Sequence, residues 1–130
     1  MKLNITSQYA LRIMHLISSD TGKLYNAKKI SLELRIPYKY LTKIMTMLVN
    51  ADLIKSTRGR NGGYKLIKDL KEIRIIEILK AVKECINETN CVLGLGKCND
   101  NKKCALHDIW KESQKNICKT FVDTTLDMLN

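Results

Sequence analysis

Ala10, Ile13, Met14 and Ile17 stand at i, i+3, i+4 and i+7 within TSQYALRIMHLISS, which predicts a helix from about Thr6 to Ser18. The turn residues Asp20-Thr21-Gly22 end it. Asn26 can cap a short second helix running to Leu34, with Ala27, Ile30 and Leu34 inward. Ile36-Pro37 restarts the chain, because proline has no N–H to lose at a first helical position. The third helix, about Pro37 to Asn50, buries Leu41, Ile44, Met45 and Leu48 and shows Lys39, Thr42, Lys43 and Thr46. The period then changes. Residues 53–57 and 64–67 have strand composition, and Arg58-Gly59-Arg60-Asn61-Gly62-Gly63 between them reads as a hairpin loop. Further on, Ile75, Leu79 and Val82 turn inward on a fourth helix over about 75–84, with Ile78 beside them. Leu106, Trp110, Ile117 and Phe121 stripe a long helix from near Ala105 to about Thr125.

Two short helices joined by a tight break and followed by a hairpin make a winged helix-turn-helix. The predicted fold is mainly α with a small β-hairpin: a winged helix-turn-helix DNA-binding region over 1–74, then a loop and a long C-terminal dimerisation helix over 75–130. One small domain scarcely covers a helix of that length. Its stripe of Trp110, Ile117 and Phe121 therefore reads as a homodimer surface, with packing on the chain's own first helix as the other use of the same positions.

Charge sharpens this division. The net charge is +10, and residues 1–74 carry 15 Lys and Arg against 5 Asp and Glu, while 75–130 carry 8 against 8. All the excess lies on the winged-helix side, which suits a polyanion partner, although charge alone is equally served by a soluble basic surface. The placement of the cations decides between them. Two arginines, Arg58 and Arg60, flank Gly59 at the hairpin tip with Asn61, and a turn needs glycine but not arginine. Lys28 and Lys39 are placed for contacts to DNA phosphates. No stretch approaches the roughly 20 apolar residues of a membrane span, so the expected location is cytoplasmic, with no membrane partner.

In a reducing compartment clustered cysteines are metal ligands or redox centres more often than disulfides. The segment CVLGLGKCNDNKKCALH places Cys91, Cys98, Cys104 and His107 together, with gaps of six, five and two residues. Gly94 and Gly96 let the loop fold back, and His107 lies about one turn after Cys104. Three thiolates and an imidazole complete a four-ligand set. Tetrahedral zinc accepts it, and so does an iron-sulfur cluster; the spacing favours neither. Unligated thiols in a loose loop are a third reading. Cys85 and Cys118 read as packing cysteines, with Cys85 near enough to substitute as a ligand.

The pieces MKLNITSQYALRIM, IPYKYLTKIMTMLVNADLI and STRGRNGGYKLIK resemble the Rrf2 family of bacterial winged-helix regulators, over nearly the whole chain. The RGxxGGYxL pattern from Arg58 to Leu66 is the most specific part. This resemblance implies a homodimer on double-stranded DNA with a palindromic operator, the third helix in the major groove and the wing in the minor groove. It implies groove-facing Tyr40, Thr42 and Lys43, and Arg58 as the minor-groove arginine. It also implies an iron-sulfur cluster on the three loop cysteines. In cluster-assembly regulators of the family a histidine placed as His107 completes a 2Fe-2S site. In nitric-oxide sensors a carboxylate on the partner's first helix completes a 4Fe-4S site, and the corresponding residue here is Gln8. A 2Fe-2S cluster is thus favoured over 4Fe-4S, with zinc as the alternative, although the first cysteine gap is one residue longer than the family's usual five.

The function expected is a cluster-modulated transcriptional regulator. Its alternatives are the same regulator with structural zinc or no metal, an iron-sulfur electron-transfer protein, for which the basic wing would be superfluous, and a winged helix that binds protein. An enzyme is not expected, and no small-molecule substrate: no nucleophile–base set or carboxylate pair occurs, and the GxG at Gly94 lacks a third glycine and a preceding strand.

Overall fold

The computed structural model describes residues 3–84, 93 and 101–129. Cys85, Cys91 and Cys98 lie outside the described residues, and with them most of the cysteine segment.

Helix α1 spans Ile5–Ser18 and begins where Asn4 Oδ1 accepts the Ser7 N–H at 2.8 Å. α2, Ala27–Leu34, is capped in the same way by Asn26, which accepts from Lys28 N–H. α3 covers Tyr38–Asn50. Pro37 sits one position earlier than expected, as the N-cap, because its ψ of 131° is still extended. Ala10, Ile13, Met14 and Ile17 of α1 meet Ile30 of α2 and Leu41, Ile44, Met45 and Leu48 of α3 in one core. All were legible as inward from helical spacing.

The hairpin pairs β1, Ile54–Thr57, antiparallel with β2, Gly63–Leu66, in the register Ile54↔Leu66 to Thr57↔Gly63. Glycine is required in its loop: a Cβ on Gly62 would lie 2.1 Å from the Thr57 carbonyl oxygen. A bridge between Tyr25 and Tyr64, with N–H···O distances of 2.9 and 2.8 Å, ties the turn before α2 to the hairpin. The wing is therefore held at its base by three segments rather than two.

α4 covers Ile75–Ala81, shorter than the periodicity suggested. Lys83 takes a left-handed φ of 61°, and the Glu84 and Lys83 N–H groups turn back to the Leu79 and Lys80 carbonyls. This is a Schellman ending made with lysine, and Arg35 and Asp52 adopt the same left-handed conformation after α2 and α3. None of the three is glycine, so residue type did not announce the stop. The turn redirects Glu84 onto α1, where its carboxylate accepts from Asn4 N–H and Ser7 Oγ.

α5 covers His107–Asp123, and a 3-10 turn at Leu126–Leu129 follows. Leu106, expected on the stripe, precedes the helix and is exposed. The inward positions are His107, Trp110, Gln114, Ile117 and Phe121, spaced alternately by three and four as on a packing seam. Beyond α5 the chain returns to the core. Ile75 N–H donates to Thr124 O, Leu126 N–H donates to Ile73 O, and the Leu126 side chain is fully buried. Among the described residues no helix is long and apolar enough to cross a membrane.

Candidate nucleic-acid interface and metal segment

Helix α3 turns its apolar side to the core and leaves Tyr38, Lys39, Lys43, Thr46 and Asn50 exposed, with Thr42 half-buried between them. Thr42 Oγ1 donates to Lys39 O and Thr46 Oγ1 to Thr42 O, so these side chains lie close along the helix. Lys39, Thr42 and Lys43 thus share the outer face, as their spacing suggested. Tyr40 lies elsewhere. Its hydroxyl is hydrogen-bonded to Thr6 Oγ1, and its ring stands edge-on to Tyr9 with centroids 5.6 Å apart. Helical arithmetic carries the signal: Tyr40 is four residues before buried Ile44, whereas Tyr38 is four before Thr42. Tyr38, 55% exposed, is the tyrosine of the outer face that the sequence reading passed over.

Lys28 is exposed on α2, and Arg58, Arg60 and Asn61 are exposed on the wing. Gly59, with φ 112°, takes a conformation open to glycine, so the two arginines flank a turn that other residues would strain. Arg12 holds the unit together from behind: its guanidinium donates to Leu34 O at 2.7 Å and lies 5.8 Å from the Tyr9 ring centre. The wing, α2 and α3 therefore form one basic unit on a common core.

At the other end, Cys104 is a free, exposed thiol and His107 is buried at the head of α5. The His107 N–H donates to Cys104 O at 3.1 Å, which sets the two residues one turn apart. Among the described residues no group of three or more His, Cys, Asp or Glu side chains gathers, because two of the four expected donors fall outside them. Trp110, Ile117 and Phe121 are half-buried. Phe121 packs on the core, and with Leu3, Ile117 and Thr120 it lines a groove of about 260 Å³ beside α5. Cys118 is half-buried on the same helix.

Comparison with known proteins places this arrangement. The model of the Rrf2 family, described as an iron-dependent transcriptional regulator, matches residues 3–130. The chain belongs to the Rrf2 family. The transcriptional regulator IscR of Klebsiella pneumoniae strain 342, of helix-turn-helix type, is 32% identical over 131 aligned positions, covering 99% of this chain and 79% of that one. The solved structure of CymR, the global cysteine regulator of B. subtilis, superposes with a TM-score of 0.83 at 25% identity, over 99% of this chain and 95% of that one. T. potens IscR has the same fold, with a TM-score of 0.76 at 23% identity and coverage of 99% and 86%. As an Rrf2 protein the chain is a DNA-binding transcriptional regulator and not an enzyme. The winged helix and long C-terminal helix are those of the family's structures.

Proposed function

We propose that the chain is a homodimeric regulator whose affinity for a palindromic operator is set by an iron-sulfur cluster on Cys91, Cys98, Cys104 and His107. The observation that carries this is His107: it opens α5 one turn from the free Cys104 thiol, in a family described as iron-dependent. The donor chemistry fits, since thiolates with an imidazole are accepted by such clusters. A 2Fe-2S cluster is favoured over 4Fe-4S because a histidine stands in the fourth place and Gln8 offers no carboxylate. When bound, the cluster supplies a group whose presence follows iron supply and redox conditions.

The chain's own residues supply the mechanics. The cysteine segment leaves from Glu84, bonded to the first turn of α1, and returns at His107, the first residue of α5. α5 is fastened at its far end by the Ile73–Ile75 pairing with residues 124–126. A group held by Cys91, Cys98, Cys104 and His107 would therefore restrain the head of α5 against α1. α5 pairs with its partner through Trp110, Ile117 and Phe121, and so sets the separation of two recognition units. Half-sites one duplex turn, about 34 Å, apart are met only at the matching separation. Binding at the segment changes operator affinity only through unequal affinity for the two arrangements. On DNA, Lys39, Thr42 and Lys43 face the major groove, Arg58 takes the minor groove with Arg60 and Asn61 beside it on the wing, and Lys28 meets phosphate, while Tyr40 stays packed against Thr6 and Tyr9 of α1.

The test is protein purified without oxygen, examined by visible absorption with iron, sulfide and zinc analysis. Brown protein with matched iron and sulfide is expected, with iron lost in His107→Ala and operator affinity different between loaded and stripped protein. Colourless protein with one zinc per chain makes the segment a structural clasp and overturns the sensing role.

A further inference from the structure

A second basic site lies beside the wing, lined by residues of α2, the turn before it and the wing loop rather than of α3. The turn before α2, one edge of α2 and the second half of the wing loop enclose a cleft of about 330 Å³, lined by Lys23, Asn26, Lys29, Glu33, Arg60 and Asn61 among others. Main chain builds it. The Tyr25–Tyr64 bridge draws the turn and hairpin together, and this approach is open only to glycine at 63, where a Cβ would meet Tyr25 O at 2.8 Å. Lys23 lies 5.2 Å from the Tyr25 ring centre, which locates its ammonium near the bridge.

Three cations face this volume against one carboxylate, Glu33. None of the four makes an ion pair among the described residues. Like charges gathered in a preformed cleft repel, and an arriving anion relieves that repulsion. The N-terminus of α2, capped by Asn26, borders the cleft and adds the positive end of the helix dipole. A phosphate group has the charge and the acceptor oxygens that this set of donors lacks.

We infer that the cleft grips a phosphodiester of the DNA backbone, with Lys23 and Lys29 as its principal contacts and Arg60 closing it from the wing. This rests on the DNA-binding reading of the chain. A wing in the minor groove and α3 in the adjacent major groove have one phosphate strand between them, and a cleft shared by α2 and the wing loop would meet that strand. Contacts there set register and carry no base information. Glu33 opposes them and keeps the grip from becoming too tight to release.

The experiment is the salt dependence of binding to a random-sequence duplex, so that no operator need be known. It uses the full chain, Lys23→Gln/Lys29→Gln, Glu33→Gln, and Lys29→Arg as the conservative control. Each phosphate neutralised contributes about 0.9 to the slope of log affinity against log salt. The double variant is expected to lower that slope by about 0.9, one phosphate, and to weaken all duplexes alike; Glu33→Gln is expected to tighten binding, and Lys29→Arg to keep it. All four changes lie on exposed side chains, and circular dichroism checks that the fold is kept. A double variant with unchanged slope and affinity overturns the inference while leaving DNA binding intact. Wild-type protein that binds no duplex at low salt removes both. Titration with inorganic phosphate separates the sources: saturation at Lys23 and Lys29 amide signals, with an unchanged duplex slope in the variant, makes the cleft a free-anion site and overturns the backbone assignment.

Discussion

The winged-helix region and α5 use apolar residues in opposite ways. Among the described residues, the buried hydrophobics run from Ala10 to Val82, with Leu126 alone beyond them. The buried residues of α5 itself, His107 and Gln114, are polar, and Gln114 Oε1 has no hydrogen-bond partner among the described residues. Its apolar positions Trp110, Ile117 and Phe121 stay half-covered. The first region satisfies its hydrophobic surface within one chain. The second region leaves a seam that one chain covers incompletely, and this is the physical case for a second copy.

The strongest challenge to this contrast is a pair of truncations. Leu48→Ala, in the closed core, is expected to cost about 2–5 kcal/mol in denaturant unfolding. Ile109→Ala, on an α5 side chain that is 69% exposed, is expected to stay within about 0.5 kcal/mol. Equal costs would mean that α5 belongs to the core after all.

A charge on the seam separates folding from assembly. Ile117→Asp should raise the dimer dissociation constant at least about tenfold, roughly 1.4 kcal/mol, by sedimentation equilibrium. A variant that assembles like the wild type would place the interface elsewhere.

DNA binding sharpens the other side of the comparison. Lys43→Ala is expected to lose about 1–2 kcal/mol of operator affinity if it reads a base edge, and to relax sequence preference at one position. Arg58→Ala should lose a similar amount on duplexes with a narrow minor groove and less on others. Fluorescence anisotropy on paired duplexes reads both.

The smallest effect tests the start of the helix-turn-helix. Asn26→Ala removes the acceptor for Lys28 N–H and is expected to destabilise the fold by about 1 kcal/mol. No change in the unfolding midpoint would show that α2 is held by its packing alone.

Much of the fold was readable because its signals are local. The inward faces of α1, α3 and α4 follow from spacing, Asn26 from capping chemistry, and the hairpin from glycines between strand-like runs. Where the reading slipped, the deciding partner was distant in the chain. Tyr40 is drawn to Thr6 and Tyr9 of α1, and α4 stops at Ala81 so that Glu84 can reach Asn4 and Ser7. The inward positions of α5 include Trp110, Ile117 and Phe121 but open at His107 rather than Leu106, because the helix starts two residues later than Ala105. The ligand set was legible only as composition and spacing.

By itself, then, the sequence determined which segments are helix or strand, which faces turn inward, where positive charge gathers, and the likeness to one family. Those properties depend on residues within a turn or two of each other, or on simple sums along the chain. The tertiary structure alone decided that Tyr25 pairs with Tyr64, that residues 73–75 clasp 124–126, and that Lys23, Lys29 and Arg60 face one cleft. Each joins segments tens of residues apart through backbone hydrogen bonds or convergence in space. Backbone N–H and C=O groups are the same in every residue but proline, so no side-chain pattern names their distant partners.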